Sequence, residues 1–331
     1  MGFLFYRNHR HTGQLNVKNQ SLSTNPPVWG VIAAFAAVYV IWGSTYLGIR
    51  YAVESIPPFL MAGTRNLAAG LLLYAFVRAR GDTAPSRIEW RNAVIAGGLL
   101  LTIGNGGVTW AEQVIPSGVT ALVVALTPLW MVLFDWLRPG GARPRPFVVA
   151  GLAAGFVGVT LLAGNQGSHP IPAYGWGIAA LLAASMSWAW GSIFNKQARK
   201  PASPLLGVAM QMIAGGALLL GLATVRGEVS RFSFDRVTPS SAGAWLYLTA
   251  FGSLVGFTCY VWLLHASTPA RVATYAYVNP FIAILLGCTI GHEAFSHELF
   301  VAGALIITAV VLIVGGGATK TEPPIRYEER A

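Results

Sequence analysis

Ten apolar runs alternate with short polar connections along the chain: Val28 to Ile49, Pro57 to Val77, Trp90 to Trp110, Ser117 to Leu137, Phe147 to Gly164, Tyr174 to Asn195, Pro204 to Val225, Ala242 to His265, Ala270 to Gly291 and Leu299 to Gly315. A helix needs about 20 apolar residues to cross the hydrocarbon layer of a bilayer, and every run approaches that length. The pattern predicts an all-α membrane protein with ten transmembrane helices, most of them joined as hairpins. Residues 1–27 are polar and basic, with Arg7, Arg10 and Lys18 and no acid. A signal peptide would begin this way, but the run from Val28 is too long for one and nine more follow, so a cytoplasmic tail and an uncleaved first span are expected. Residues 317–331 form a second tail.

The runs repeat. PSGVTALVVALTPLWMVLF, Pro116 to Phe134, returns 152 positions later as TPARVATYAYVNPFIAILL, Thr268 to Leu286. The same offset joins Pro128 to Pro280, Gly104 to Gly256, Trp110 to Trp262 and Gly151 to Gly303. Closer to the start of each half, Trp42, Gly43 and Ser44 match Trp190, Gly191 and Ser192, while Pro58, Arg65 and Gly70 match Pro204, Gln211 and Gly216. Residues 28–164 and 174–316 are therefore two repeats of five spans. An odd number of spans makes the second repeat enter the membrane from the opposite side, so the repeats are inverted. Pro128 and Pro280 then approach the midplane from opposite faces, where folds of this kind hold their substrate.

Composition agrees with a membrane location: 54% of residues are hydrophobic and 10% charged, against about 25% charged in soluble domains. The net charge of +10 does not indicate nucleic acid, because the basic residues lie between apolar runs and form neither a face nor an arm. They are distributed unequally across the membrane. Arg78, Arg80, Arg87, Arg91, Arg138, Arg143, Arg145, Lys196, Arg199, Lys200 and Arg271 fall on one side with both tails, and only Arg50, Arg226, Arg231 and Arg236 on the other. Lys and Arg concentrate in cytoplasmic loops, so both termini are expected in the cytoplasm.

These motifs resemble the EamA-type members of the drug/metabolite transporter superfamily, and within them the YedA-like bacterial inner-membrane group. The resemblance is carried by WGSTYLGIR (Trp42 to Arg50), PPFLMAGTRNLAAG (Pro57 to Gly70), GNGGVTWAEQ (Gly104 to Gln113), PSGVTALVVALTP (Pro116 to Pro128), SWAWGS (Ser187 to Ser192) and TYAYVNP (Thr274 to Pro280). It implies ten helices in two inverted repeats around a central cavity, and export of small metabolites from a bacterial inner membrane. The family's acidic residue after the ninth span is similar to Glu293, whereas the first repeat has Gly141 in that place.

Arg65 is the exceptional charge, about two turns into the second span. A charge at the bilayer centre costs on the order of 2.5 to 3.5 kcal/mol, so it requires partners or water. It either meets a substrate carboxylate or ties helices through backbone carbonyls. Asn105, among Gly104, Gly106 and Gly107, marks either a hinge that exposes carbonyls or a face for close packing, the preferred reading. The aromatics Trp42, Tyr46, Trp130, Trp188, Trp190, Tyr260, Tyr275 and Tyr277, with Asn279, are candidate cavity residues for a flat, amphipathic or cationic solute. Pro128 and Pro280 are candidate helix breaks.

Glu112, Asp135, Glu293 and His265 lie near span ends, which gives no sign of a buried proton relay and points to facilitated or weakly coupled export. A phosphate-binding loop and a nucleophile elbow are both missing from the sequence, so neither ATP-driven pumping nor hydrolase chemistry is expected. His292, Glu293 and His297 imitate a zinc motif, but a five-residue separation turns the histidines about 140° apart on a helix. The expectation is a transporter without metal or cofactor, a monomer or weak dimer whose partners are a small solute and lipid; an integral-membrane enzyme or a channel is the alternative.

Overall fold

The computed structural model describes residues 27–137, 146–164, 171–267, 272 and 274–316. Both expected tails beyond these limits, Gly141, and the side chains of Asp135, His265 and Tyr277 lie outside the described residues. All regular structure in the described residues is helical. Helix α1 is Val28–Val53, α2 Pro58–Ala79, α3 Arg87–Ala111, α4 Ser117–Val124, α5 Thr127–Leu137, α6 Pro146–Gly164, α7 Ile171–Gln197 and α8 Pro204–Val225. A short α9, Glu228–Arg231, precedes α10, residues 239–266; α11 is Tyr275–Thr289 and α12 His297–Gly316. Seven units are long and apolar enough to cross a bilayer, and three shorter apolar helices, Pro146–Leu161, Val278–Thr289 and His297–Leu312, accompany them.

The two prolines behave differently. The fourth apolar run divides beside Pro128, one of the two candidate breaks: α4 stops at Val124 and α5 begins at Thr127. Pro128 has no N–H to give to the carbonyl of Val124, one turn back. The hydroxyl of Thr127 takes over, donating to Val124 O at 2.7 Å. Pro280 instead lies inside a continuous α11. It stands near the start of that helix, where the ring costs one hydrogen bond and its fixed φ is already helical.

Two helices widen at matching places. Gly98–Asn105 within α3 and Leu248–Val255 within α10 are π-helical, and a glycine follows each, Gly106 and Gly256. Wide turns of this kind are rare and recur at functional sites. The Gly104–Gly107 cluster therefore does not unwind α3; it lies at the end of the π segment and the start of a regular turn.

Packing follows the repeats. Helices α2 and α8 cross with their backbones in contact: a Cβ on Gly70 would stand 2.8 Å from Ile213 N, and one on Gly216 2.6 Å from Leu67 N. Helix α6 lies along α12. The first helix of each repeat packs into the other repeat, α1 against α10 and α11, and α7 against α3, α4 and α5. This exchange leaves a space between α1, α2, α3, α4, α7, α10 and α11.

Glu228 joins α9 to the start of α2. Its carboxylate accepts from Leu60 N at 2.9 Å and so occupies the positive end of that helix. Burial pushes its carboxyl above the ordinary value, against the opposing effect of the Leu60 and Phe59 amides. A raised folded-state value means that the folded protein binds the proton more readily, so the contribution of this side chain falls as pH rises from the ordinary carboxyl range through the raised one. Glu228→Ala is expected to cost about 1 kcal/mol. The gap between its thermal midpoint in detergent and that of the parent should narrow with rising pH over that window.

Candidate functional site

The space between the exchanged helices is a cavity that opens to solvent, with about 940 Å³ of atom-free space when its mouth is included. Its wall takes residues from both repeats. Trp42, Thr45, Tyr46 and Ile49 come from α1, Arg65 and Asn66 from α2, and Leu101, Gly104, Asn105 and Val108 from α3. Ala184, Ser185 and Trp188 come from α7, Gly252, Ser253 and Phe257 from α10, and Tyr275, Ala276, Asn279 and Pro280 from α11. Both π segments contribute, through Leu101, Gly104 and Asn105 on one side and Gly252 and Ser253 on the other.

Arg65 is 4% exposed. Its Nη2 donates to Asn105 Oδ1 at 2.6 Å, and its Nε is buried without a partner. A guanidinium presents a planar fork matched to a carboxylate. One tooth of this fork is held by Asn105, and donor capacity remains toward a cavity that Arg65 itself lines. The reading in which Arg65 ties helices through backbone carbonyls finds no such hydrogen bond among the described residues.

Trp42 anchors the aromatic wall. Its Nε1 donates to Gly252 O at 3.3 Å, a carbonyl of the π segment, and its ring meets Phe257, Tyr260 and Tyr275 at centroid distances of 5.4, 4.9 and 5.3 Å. Trp188 closes the opposite wall. The two tryptophans occupy related positions: a Cβ on Gly256 would stand 2.5 Å from Trp42 Nε1, and a Cβ on the matching Gly104 3.1 Å from Trp188 Cε3. By contact, the partner of Trp42 is therefore Trp188, at the 146 offset that also joins Arg65 to Gln211, and not Trp190 as the WGS match suggested. The amide of Asn279 is best oriented with its nitrogen donating to Tyr275 O at 3.1 Å and Tyr39 O at 3.3 Å.

Of the residues singled out in the sequence, Trp42, Tyr46, Arg65, Gly104, Asn105, Trp188, Tyr275, Asn279 and Pro280 meet at the cavity. Others do not. Trp130 is buried behind the wall, its Nε1 donating to Ser185 Oγ at 2.8 Å. Trp190 is 53% exposed and lies edge-on to Phe134, because two residues along a helix turn it about 200° from Trp188. Tyr260 supports the rings of Trp42 and Tyr275 from outside. Gly106 packs against Leu219 and Gly107 against Ala184. Pro128 acts only through Thr127, which does line the cavity. Sequence reading missed Thr45, Asn66, Ser185, Ser253 and Phe257. The only signal for Ser253 and Phe257 was their 152 offset from Leu101 and Asn105.

Among the described residues no group of three His, Cys, Asp or Glu side chains is placed to hold a metal ion. The arrangement offers one buried cation, a few amide and hydroxyl groups and an aromatic lining, which suits binding of a small amphipathic molecule.

The profile of the EamA-like transporter family matches residues 28–164 and 175–315. The chain is 40% identical over 295 residues to YedA, an uncharacterized inner membrane transporter of Escherichia coli K12, covering 88% of this chain and 91% of that one. It is 27% identical to YvbV, an uncharacterized transporter of Bacillus subtilis, over 89% of this chain and 95% of that one. Protein PecM of Dickeya dadantii is also 27% identical, over 82% and 88% of the two chains. A crystallised protein chain, 23% identical, superposes with a TM-score of 0.57 over 86% of this chain and 96% of its own, a likeness of fold. With two profile matches that together take in nearly all of the helical part of the sequence, the chain belongs to the EamA-like transporter family.

Proposed function

We propose that the protein is a secondary transporter that moves small carboxylate-bearing metabolites, amphipathic or aromatic ones in particular, across a bacterial inner membrane. Ten helices in two inverted five-helix repeats alternate access to the central cavity, both termini are cytoplasmic, and the physiological direction is export. The observation that carries this reading is Arg65, a buried cation held by Asn105 in a cavity walled by aromatic rings from both repeats. Arg65 receives the carboxylate, and Trp42, Trp188 and Tyr275 take the apolar part. The crossed packing of α1 and α7 supports a rocking motion, since each first helix moves with the opposite repeat. The widened turns of α3 and α10 are the flexible elements along that path.

The test is flux into proteoliposomes over a panel of radiolabelled amino acids, aromatic acids and cationic drugs. Saturable flux is expected for at least one carboxylate-bearing member. No saturable flux for any of them would overturn the reading, and saturation by cationic drugs alone would remove Arg65 from its assigned role.

A further inference from the structure

At the end of α3, in the segment Ala111 to Gln113, lies a carboxyl group that does not line the cavity. Glu112 follows the last residue of α3 and is 1% exposed, and both of its carboxylate oxygens are buried without a hydrogen-bond partner. A position near a span end suggested exposure, but Val114 and Ile115 fold back against the bundle, with Ile115 fully buried. An ionised carboxylate cannot remain in such a place without partners; it is neutralised by a proton instead. The end of α3 favours this further, because a helix C-terminus repels negative charge.

The surroundings form a ladder. Val108 lines the cavity, and Glu112 is one turn farther along the same face of α3. Ala121 lines the cavity from α4, and Ser117, one turn back on the same face, is buried with its hydroxyl unpartnered, as is Thr120. Beyond them Glu293 accepts from Ser117 N at 2.8 Å and Gly118 N at 3.3 Å, and Arg50 Nε stands 3.6 Å from its Oε1. The Arg50 side chain is 35% exposed and that of Glu293 8%. The charged groups acting on Glu112 are Glu293, then Arg50 from α1, then Arg65 from α2; Tyr46 of α1 also feels it.

We propose that Glu112 carries a proton through the transport cycle, taken up through the cavity with the solute and released at the face where Arg50 meets solvent, so that a proton and a carboxylate solute cross together. The idea rests on the transport reading above. With the cavity empty, the charge of Arg65 loosens the proton that Glu112 holds. A solute carboxylate on Arg65 cancels that charge, and Glu112 then holds its proton through the crossing and gives it up at the Arg50 face once the solute has left. Each ligand strengthens binding of the other by the same factor. Solute accumulated in the cell can thus leave as a neutral pair with a proton.

Infrared difference spectroscopy of the lipid-reconstituted protein, with pH as the only variable, tests the site without any solute. The wild type is expected to show the C=O stretch of a protonated carboxylic acid at neutral pH, lost on alkaline titration. Glu112→Gln should lack that band, Glu112→Asp should shift it, and Glu54→Gln, which alters an exposed carboxyl, should leave it in place. A wild type without the band, or Glu112→Gln with it undiminished, overturns the proposal even if transport is found. Coupling is read in proteoliposomes as amino-acid efflux. Acidifying the side that the solute leaves is expected to raise wild-type flux several-fold and to leave Glu112→Gln flux unaltered, whereas wild-type flux indifferent to the gradient overturns it.

Discussion

Arg65→Gln is expected to lower the transport efficiency for a carboxylate-bearing solute by about 10- to 100-fold, the equivalent of the roughly 1.5 to 3 kcal/mol carried by a hydrogen bond to a charged group. Glutamine matches the residue that the second repeat has at this place, Gln211, whose Nε2 donates to Asn195 Oδ1 at 3.1 Å. The substitution is therefore compatible with a helix at this depth and removes a buried charge that is costly to keep there. Protein level and thermal midpoint should be equal to or above the parent's, which separates a binding role from a structural one. Arg65→Lys should fall between the two. It keeps the charge but loses the planar fork, and its shorter reach cannot both hold Asn105 Oδ1 and face the cavity. The loss should appear mainly as a higher KM for solutes with a carboxylate and be small for cationic members of the panel. Unchanged kinetics in both variants would dismiss the carboxylate role. A drop in stability for both, without a change in KM, would show Arg65 to be a tie between α2 and α3.

The all-helical architecture was legible in the sequence because apolar length is a strong signal and the offset of 152 is long and regular. Less legible was which side of each helix counts. Trp188 and Trp190 carry the same side chain two residues apart, and the WGS identity favoured the wrong one; the contacts with Gly104 and Gly256 decide for Trp188. The break in the fourth run was legible as a proline, but the same mark on Pro280 produced no break, since its position within the helix sets the cost. The π segments left only glycines as a trace. A wide turn is stabilised by packing and by a side chain such as that of Trp42 reaching Gly252 O, both of which are tertiary. Glu112 was the largest misreading. Its distance from the span centre was right, and its burial depends on Ile115 and on the start of α4, which no linear pattern displays.

Gly216→Leu is expected to abolish the folded protein. A Cβ at this position would stand 2.6 Å from Leu67 N, 3.0 Å from Gly63 O and 3.0 Å from Leu67 Cα, all backbone atoms of α2. Backbone cannot swing aside as a side-chain tip can, so the two helices must separate. The crossing is the close-packed seam between the repeats, formed in the same way from the other side by Gly70 against Ile213 N and Ala209 O. In a bilayer there is no hydrophobic force to restore a separated pair, because lipid chains are as apolar as leucine; association depends on contact between small residues. Overpacking in a dense core costs about 1 to 3 kcal/mol when side chains can adjust, and more is expected where they cannot. A fluorescent fusion run on size exclusion in detergent should show the monodisperse peak replaced by aggregate. Gly216→Ala should give a weaker peak with a lowered midpoint. Gly221→Leu, one turn and a half farther along α8 where a Cβ would meet nothing within 4 Å, should elute as the parent does. A monodisperse, transport-competent Gly216→Leu would refute the α2 and α8 crossing itself, and with it the placement of Arg65 and Gln211 at matching depths on either side of the seam.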